Sequence, residues 1–341
     1  MKTDKTLLMV DGELQRQIAE LSGPMHEVCR YATEGGGRVR AALLLGAAQQ
    51  SGEHAMRAAT SLELIHAATL LQDDIFDAGQ MRRGRVAAHV QFGKAMTILA
   101  SDWLLIRSLE MAAEVDTQFF RCLARAGTAM AQAEARELAP PALRSMEEAQ
   151  QYGCTIARGK TAMLFGTAMC GAAVLQRVAP DDRSRWEEMG VEMGLTYQMV
   201  DDCVDIYGAE TGAGKSVGHD LVAGCLTMPV LFGAFLMEKE GAHVSIEELQ
   251  AGRLGTAESL QLQRAVRSPE VMGQLHELLQ RRFADHRKRA RETGVPESAV
   301  EVWSTNLRTK LTACWMHSAQ PQVHPFADRM FLPRATRQRY A

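Results

Sequence analysis

Aromatic residues make up only 6% of this 341-residue chain, and runs of β-branched residues are scarce. Both shortages argue against a sheet-built core, because strands draw on exactly these residue types being plentiful. Long apolar runs are also missing. The best candidate, residues 161–175, is too short and too rich in Gly and Ala to match the roughly 18 uncharged apolar residues that a membrane span needs. Residues 1–21 are charged and lack the apolar centre of a secretion signal, so a cytoplasmic location is expected. The charge excess is small: 38 Lys and Arg stand against 41 Asp and Glu, a net of -3. That balance gives no general pull toward nucleic acid or anionic membrane. The seven cysteines are odd in number and scattered, and no pair has zinc-ligand spacing. They are expected to be small, reduced core residues.

What is present is helix-forming. Ala, Leu, Met, Glu, Gln and Arg abound. Amphipathic helical pattern runs through residues 14–31, 38–50, 54–77, 90–115 (with a break near Gly93), 117–138, 145–175, 182–207 and 226–239. Pro140 and Pro141 close the fifth of these, and Pro229 falls in the first turn of the last, where proline is tolerated. Shorter helices are expected in 245–293 and 296–319. A glycine-rich loop fills 208–224. No strand alternation appears and no low-complexity linker divides the chain. The expectation is an all-α protein, one large helical bundle in a single domain over 1–341. The basic segment 286–291 reads as a solvated helix face.

The informative stretch is 64–84. Asp73, Asp74 and Asp77 lie on helical pattern, and Asp73 and Asp77, four apart, share one face. His66, seven residues before Asp73, falls on that face too. The spacing recurs at Asp201, Asp202 and Asp205, with Gln198 about one turn earlier. Closely spaced carboxylates are costly unless cations neutralise them. Magnesium is a natural partner, since it shares a few carboxylates with substrate phosphates. Two such faces opposed across a bundle would clamp a diphosphate through several Mg²⁺ ions and make it a good leaving group. Arg82 and Arg83 follow the first cluster, Lys160 and Thr161 sit in the sixth helix, and Lys215 lies in the glycine-rich loop. Arginine forks and lysine point charges complete a site for a magnesium-bound polyphosphate.

These motifs, in this order, resemble the trans-isoprenyl (polyprenyl) diphosphate synthase family. Residues 35–40 resemble its glycine-rich opening motif, 64–84 its first aspartate motif with the double arginine, and Lys160-Thr161 its central pair. Residues 197–205 resemble its second aspartate motif, 214–229 its downstream loop and 326–340 its closing helix. The resemblance spans roughly residue 35 to the C-terminus. It implies an isoprenoid-synthase-type bundle with a central active-site cavity, three Mg²⁺ ions per active site and a homodimer, formed through the helices in 90–138. It makes Asp73, Asp74, Asp77, Asp201, Asp202 and Asp205 the metal-facing carboxylates. Arg82, Lys160 and Lys215 would hold the allylic diphosphate. Arg40, His66 and Arg83 would hold isopentenyl diphosphate, and Thr161 and Gln198 would line the pocket near the developing cation. The implied reaction is ionisation, attack by the isopentenyl double bond and proton loss to the released diphosphate.

The chain departs from the pattern at two lysines. Gly37 stands in the opening motif where one is expected, and Cys225 in the downstream loop where the other is. Each charge-assisted hydrogen bond is worth roughly 1.5–3 kcal/mol, so each loss weakens diphosphate binding by about tenfold or more. Arg38, beside the gap, is the candidate to compensate. Gln72 and Ala41 replace a frequent histidine and a frequent proline. Condensation remains the leading reading, because Arg40, His66 and Arg83 are all retained. The rivals are a synthase-derived terpene cyclase and a regulatory partner subunit; the intact aspartate motifs argue against the second. Ala68 and Thr69, about 6–7.5 Å down the helix from Asp73, are small and leave the tunnel open. A product of twenty carbons or more is expected, unless Trp103, Met163 or Phe165 supplies a deeper floor.

Overall fold

The computed structural model describes residues 2–208, 225–242 and 244–318. It is helical almost throughout, as the composition demands. Helices α1 (Lys2–Ile18), α2 (Gly23–Thr33), α3 (Val39–Ala48) and α4 (Glu53–Phe76) lead into a small hairpin, β1 (Met81–Arg82) and β2 (Arg85–Val86). Then come α5 (Ala88–Gln91), α6 (Lys94–Val115), α7 (Thr117–Leu138) and α8 (Met146–Ala157). A π-helical turn, Arg158–Ala162, joins α8 to α9 (Met163–Leu175), which is followed by α10 (Pro180–Tyr207). The remainder is α11 (Met228–Lys239), α12 (Ile246–Gln250), α13 (Thr256–Val266), α14 (Pro269–Thr293) and α15 (Glu297–Ser318). None of the described helices is long and apolar enough to cross a membrane.

Several boundaries differ from expectation. The pattern over 14–31 belongs to two helices, because the chain turns at 19–22 ahead of Pro24. The pattern over 145–175 is interrupted by the π turn. The helices expected to be short in 245–319 include two long ones, α14 and α15. The hairpin was not signalled by any alternation, since its strands are two residues each. Its turn residues Arg83 and Gly84 both have positive φ, +52° and +72°, the geometry a tight two-residue hairpin requires. Gly93, at φ +83°, makes the expected break before α6. In the basic segment 286–291, Lys288, Arg289 and Arg291 face solvent, but His286 is buried.

Two apolar clusters meet along α3 and α9. One gathers Leu44, Leu62, Ile65, Leu104, Phe119 and Leu164 from the N-terminal half. The other gathers Phe165, Met193, Leu231, Phe283 and Trp303. Helix α9 is apolar on every side, which suits an element surrounded by others. Its approach to α10 is close because glycines face each other's helices. A Cβ on Gly194 would stand 2.6 Å from Ala162 Cα, and one on Gly190 2.5 Å from the Phe165 carbonyl oxygen. This contact sets the π turn, and hence Lys160 and Thr161, against the C-terminal half of α10.

Candidate active site

Asp73 and Asp74 occupy the last turn of α4, and Asp77 is its C-cap. A helix C-terminus carries partial negative charge, so carboxylates there are unfavourable without cations. Two cations meet them. The hairpin folds Arg82 back, its Nη2 donating to Asp73 Oδ2 at 2.9 Å and its Nε to Asp74 Oδ1 at 2.7 Å. Lys160 reaches Asp73 from the other side, with Nζ 3.1 Å from Oδ1. Lys160 also lies 2.7 Å from Glu134 and 2.6 Å from Glu137, both on α7. Burial opposes charge on Lys160, but Asp73, Glu137 and Glu134 outweigh it and hold the ammonium protonated. Burial likewise opposes ionisation of Asp73, and Lys160 and Arg82 reverse the sign, keeping it an anion. Burial, with Asp73 and Glu137 adding like charge, raises Glu134 above the usual carboxylate range. Glu134 and Glu137 were not singled out from sequence. The available signal was their i, i+3 spacing at the end of an alanine-rich helix, just before Pro140.

The neighbouring residue of the π turn serves the other cluster. Thr161 Oγ1 donates to Gln198 Oε1 at 2.6 Å, and Gln198 Nε2 donates to Asp202 Oδ1 at 2.8 Å. Asp202 is buried, Asp205 half-buried and Asp201 exposed. Tyr197 is raised above the usual phenol range by burial and by Asp201. Consecutive side chains of one wide turn thus link the carboxylates of α4 to those of α10. Lys215 lies outside the described residues.

Arg40, His66 and Arg83 form a second, cationic group. Arg40 is buried over the Phe165 ring, 5.0 Å from its centroid, and its Nε has no hydrogen-bond partner among the described residues. Burial lowers its affinity for the proton. Burial and the guanidiniums of Arg40, Arg83, Arg82 and Arg38 hold the half-buried His66 well below the ordinary histidine range, so it is neutral at neutral pH. Gly36 permits the approach of Arg83: a Cβ there would stand 2.8 Å from Nη1. A cavity of about 280 Å³ opens beside this group, lined by Gly35, Gly36, Leu70, Asp74, Arg82 and Arg83 among others. Arg38 does not stand in for the lysine absent at Gly37. Its guanidinium is committed to Asp11 at 2.8 Å, Glu63 at 3.3 Å and the Thr33 carbonyl. Ala68 is packed against α6, where Ser101 donates to its carbonyl, while Thr69 is half-buried. Phe165 is fully buried; Trp103 and Met163 are half-buried.

The donors offered by the two clusters are all carboxylate oxygens, which suit a hard divalent cation. Among the described residues, no three of these aspartates bring their oxygens within 4.8 Å of one another. Such an open arrangement fits a cation that completes its shell with phosphate and water rather than one caged by protein. The unpartnered Arg40 Nε points the same way, toward an anion as the missing ligand.

The polyprenyl synthetase family model matches residues 23–266. The chain belongs to this family. It is 30% identical over 244 residues to octaprenyl diphosphate synthase of Haemophilus influenzae, covering 68% of this chain and 73% of that one. It is 32% identical over 234 residues to heptaprenyl diphosphate synthase component 2 of Geobacillus stearothermophilus, covering 66% and 72%. Its fold superposes on the crystal structure of a polyprenyl synthase from Caulobacter crescentus, complexed with calcium and isoprenyl diphosphate. There the TM-score is 0.73 at 25% identity, over 91% of this chain and 95% of that one. The all-α isoprenoid synthase fold expected from sequence is therefore the fold observed.

Proposed function

We propose that this chain is a trans-prenyl diphosphate synthase that condenses isopentenyl diphosphate with an allylic diphosphate to a product of twenty carbons or more. The observation that carries the reading is the π turn, where Lys160 engages Asp73 and Thr161 engages Gln198 and Asp202. Both aspartate clusters are thereby tied to one point. The names of its relatives, octaprenyl, nonaprenyl and geranylgeranyl diphosphate synthases, support elongation and do not favour the cyclase or regulatory readings.

In this reading the six aspartates hold three Mg²⁺ ions per active site, and the whole chain acts as one isoprenoid synthase domain. Magnesium, when bound, supplies the positive charge that makes the allylic diphosphate a leaving group. Arg82, Lys160 and Lys215 bind and orient that diphosphate. Arg40, neutral His66 and Arg83 bind isopentenyl diphosphate, beside the cavity at Gly36. Thr161 and Gln198 present oxygen dipoles near the allylic carbon as it gains positive charge. The apolar residues below Asp73 exclude water that would quench the cation. The released diphosphate takes the proton, so no side-chain nucleophile is needed. A homodimer is supported by Ile98, Leu99 and Ile106, large apolar side chains that α6 leaves exposed.

The test is incubation with Mg²⁺, isopentenyl diphosphate and farnesyl or geranylgeranyl diphosphate, with products identified by mass. Prenyl diphosphates longer by whole five-carbon units are expected. A cyclic hydrocarbon or alcohol formed without isopentenyl diphosphate would overturn the reading in favour of a cyclase.

A further inference from the structure

Helices α7 and α9 meet at two cysteines. Cys122 and Cys170 are both fully buried, and their Sγ atoms stand 2.6 Å apart. Ordinary contact between heavy atoms is about 3.5–4.0 Å. The pair is thus well inside it and about 0.6 Å from the disulfide bond length of about 2.05 Å. Glu187 lies within 4.8 Å of both sulfurs, but the direct polar contacts are to Cys122. Arg125 Nη2 lies 3.1 Å from Cys122 Sγ and 2.9 Å from Glu187 Oε2, and Cys122 Sγ lies 3.5 Å from that same oxygen. A carboxylate base, a cation and two thiols therefore converge at a place none of the prenyl-transfer chemistry uses.

The pair is buried but not remote from solvent. The Arg125 side chain is 61% exposed. It lines an open groove of about 480 Å³ with Asp116, Gln118, Arg121 and Arg183. The guanidinium that lines this groove also touches Cys122 Sγ, at 3.1 Å. A metal centre is the competing use of Cys122, Cys170 and Glu187. Two thiolates on one tetrahedral zinc ion, at about 2.3 Å each, stand about 3.8 Å apart. The observed spacing is too short for that and suits a bond between the sulfurs.

We propose that Cys122 and Cys170 are a dithiol that a hydroperoxide converts reversibly to a disulfide tying α7 to α9. Glu187 takes the thiol proton of Cys122, and Arg125 lies against the sulfur that then carries the charge. That sulfur attacks the near oxygen of the peroxide. The O–O bond breaks, the far oxygen leaves as water with the proton, and Cys122 becomes a sulfenic acid, oxidised by two electrons. The Cys170 sulfur attacks the sulfenic sulfur; the S–S bond forms, the S–O bond breaks, and hydroxide leaves as a second water with the Cys170 proton. Two thiols and one hydrogen peroxide give one disulfide and two waters. The order is set by environment: its hydrogen bond to Cys122 and its burial hold the Cys170 thiol protonated, so it is the resolving partner. The bond lies about 18 Å along α7 from Glu134, so it stiffens the helix pair without touching the diphosphate-binding groups.

The experiment uses the full chain carrying Cys154→Ser, which removes an exposed thiol. The protein is treated with stoichiometric hydrogen peroxide, alkylated, digested without reductant and mapped by mass. A peptide linking Cys122 to Cys170, about 2 Da lighter than the two thiols, is expected. Dithiothreitol should reverse it, Tm should rise by roughly 5 °C on oxidation, and Arg125→Leu should slow its formation roughly tenfold. The mapping needs no substitution at the buried pair, so a variant that fails to fold leaves the test intact. Sulfinic acid at Cys122 without the link, links among other cysteines, or an unreacted pair in excess peroxide would each overturn the proposal. So would one tightly held zinc ion, from zinc chloride alone, that shields both thiols from alkylation.

Discussion

Lys160 gathers three carboxylates, Asp73, Glu134 and Glu137, within 3.1 Å of one ammonium. Each of those anions is more tolerable for its presence, and the ammonium keeps its proton because of them. Replacing it by methionine leaves the carboxylates facing one another and, in the proposed function, removes a diphosphate contact. Lys160→Met should lower kcat by about a hundredfold, the magnitude of losing one preorganised electrostatic contact, with a smaller change in KM. Steady-state kinetics with the allylic substrate varied would read this directly. Product length is also a residue-scale property. Of the two small residues below Asp73, Ala68 is sealed against α6 and Thr69 is half-buried. Thr69→Phe is therefore expected to shorten the product by one or more five-carbon units, as read by mass. An unchanged product distribution would place the floor elsewhere.

At the scale of elements, the π turn is the decisive feature. A regular helix would set Lys160 and Thr161 a fixed 100° apart on one narrow cylinder, whereas the widened turn sends them to α4 and α10. The turn is pinned by Gly159, where a Cβ would stand 2.5 Å from Ala133 Cβ and 3.0 Å from the Ala129 carbonyl oxygen. Gly159→Ala should force the turn away from α7. We expect a loss of about 1–3 kcal/mol in stability, from denaturant melts, together with a fall in kcat. Helix α14 carries a second testable group. His286 Nε2 and Thr196 Oγ1 are hydrogen-bonded at 2.9 Å, and burial, with Arg282 and Arg289, lowers the imidazole to about 3. Its ordinary value is 6.5, so between those pH values the unfolded chain binds a proton that the folded chain refuses. Stability from this residue is present above pH 6.5 and is lost as pH falls, by about 1.4 kcal/mol per pH unit. His286→Gln should remove that slope; equal slopes for both proteins between pH 6.5 and 4 would refute the assignment.

For the whole molecule, metal binding and folding are expected to be separable. Asp73 and Asp74 already have cations in Arg82 and Lys160, so the bundle does not depend on magnesium to neutralise them. Chelation with EDTA should abolish prenyl transfer while leaving Tm within about 1 °C, unlike metal sites whose binding energy is folding energy. A large drop in Tm would mean that the metal is structural.

The fold class was legible in the sequence because it follows from local chemistry. Good helix formers in amphipathic register, with Pro and Gly at the breaks, leave few alternatives to a bundle. The paired aspartates and the following arginines were legible for a related reason: carboxylates repeated on one helix face are costly and signal cations. Less local features were not. The two-residue strands have no alternation to detect, and the π turn rests on the fit of Gly159 against Ala133 and of Ala162 against Gly194, which no local pattern shows. Glu134 and Glu137 look like solvated charges until α7 is set beside Lys160, and Arg38 looks like a spare cation until Asp11 and Glu63 claim it. Cys122 and Cys170 are separated by 48 residues, and only the crossing of α7 and α9 makes them neighbours. Composition and periodicity determined that the chain is helical; the close packing of helices through glycine decided which side chains meet.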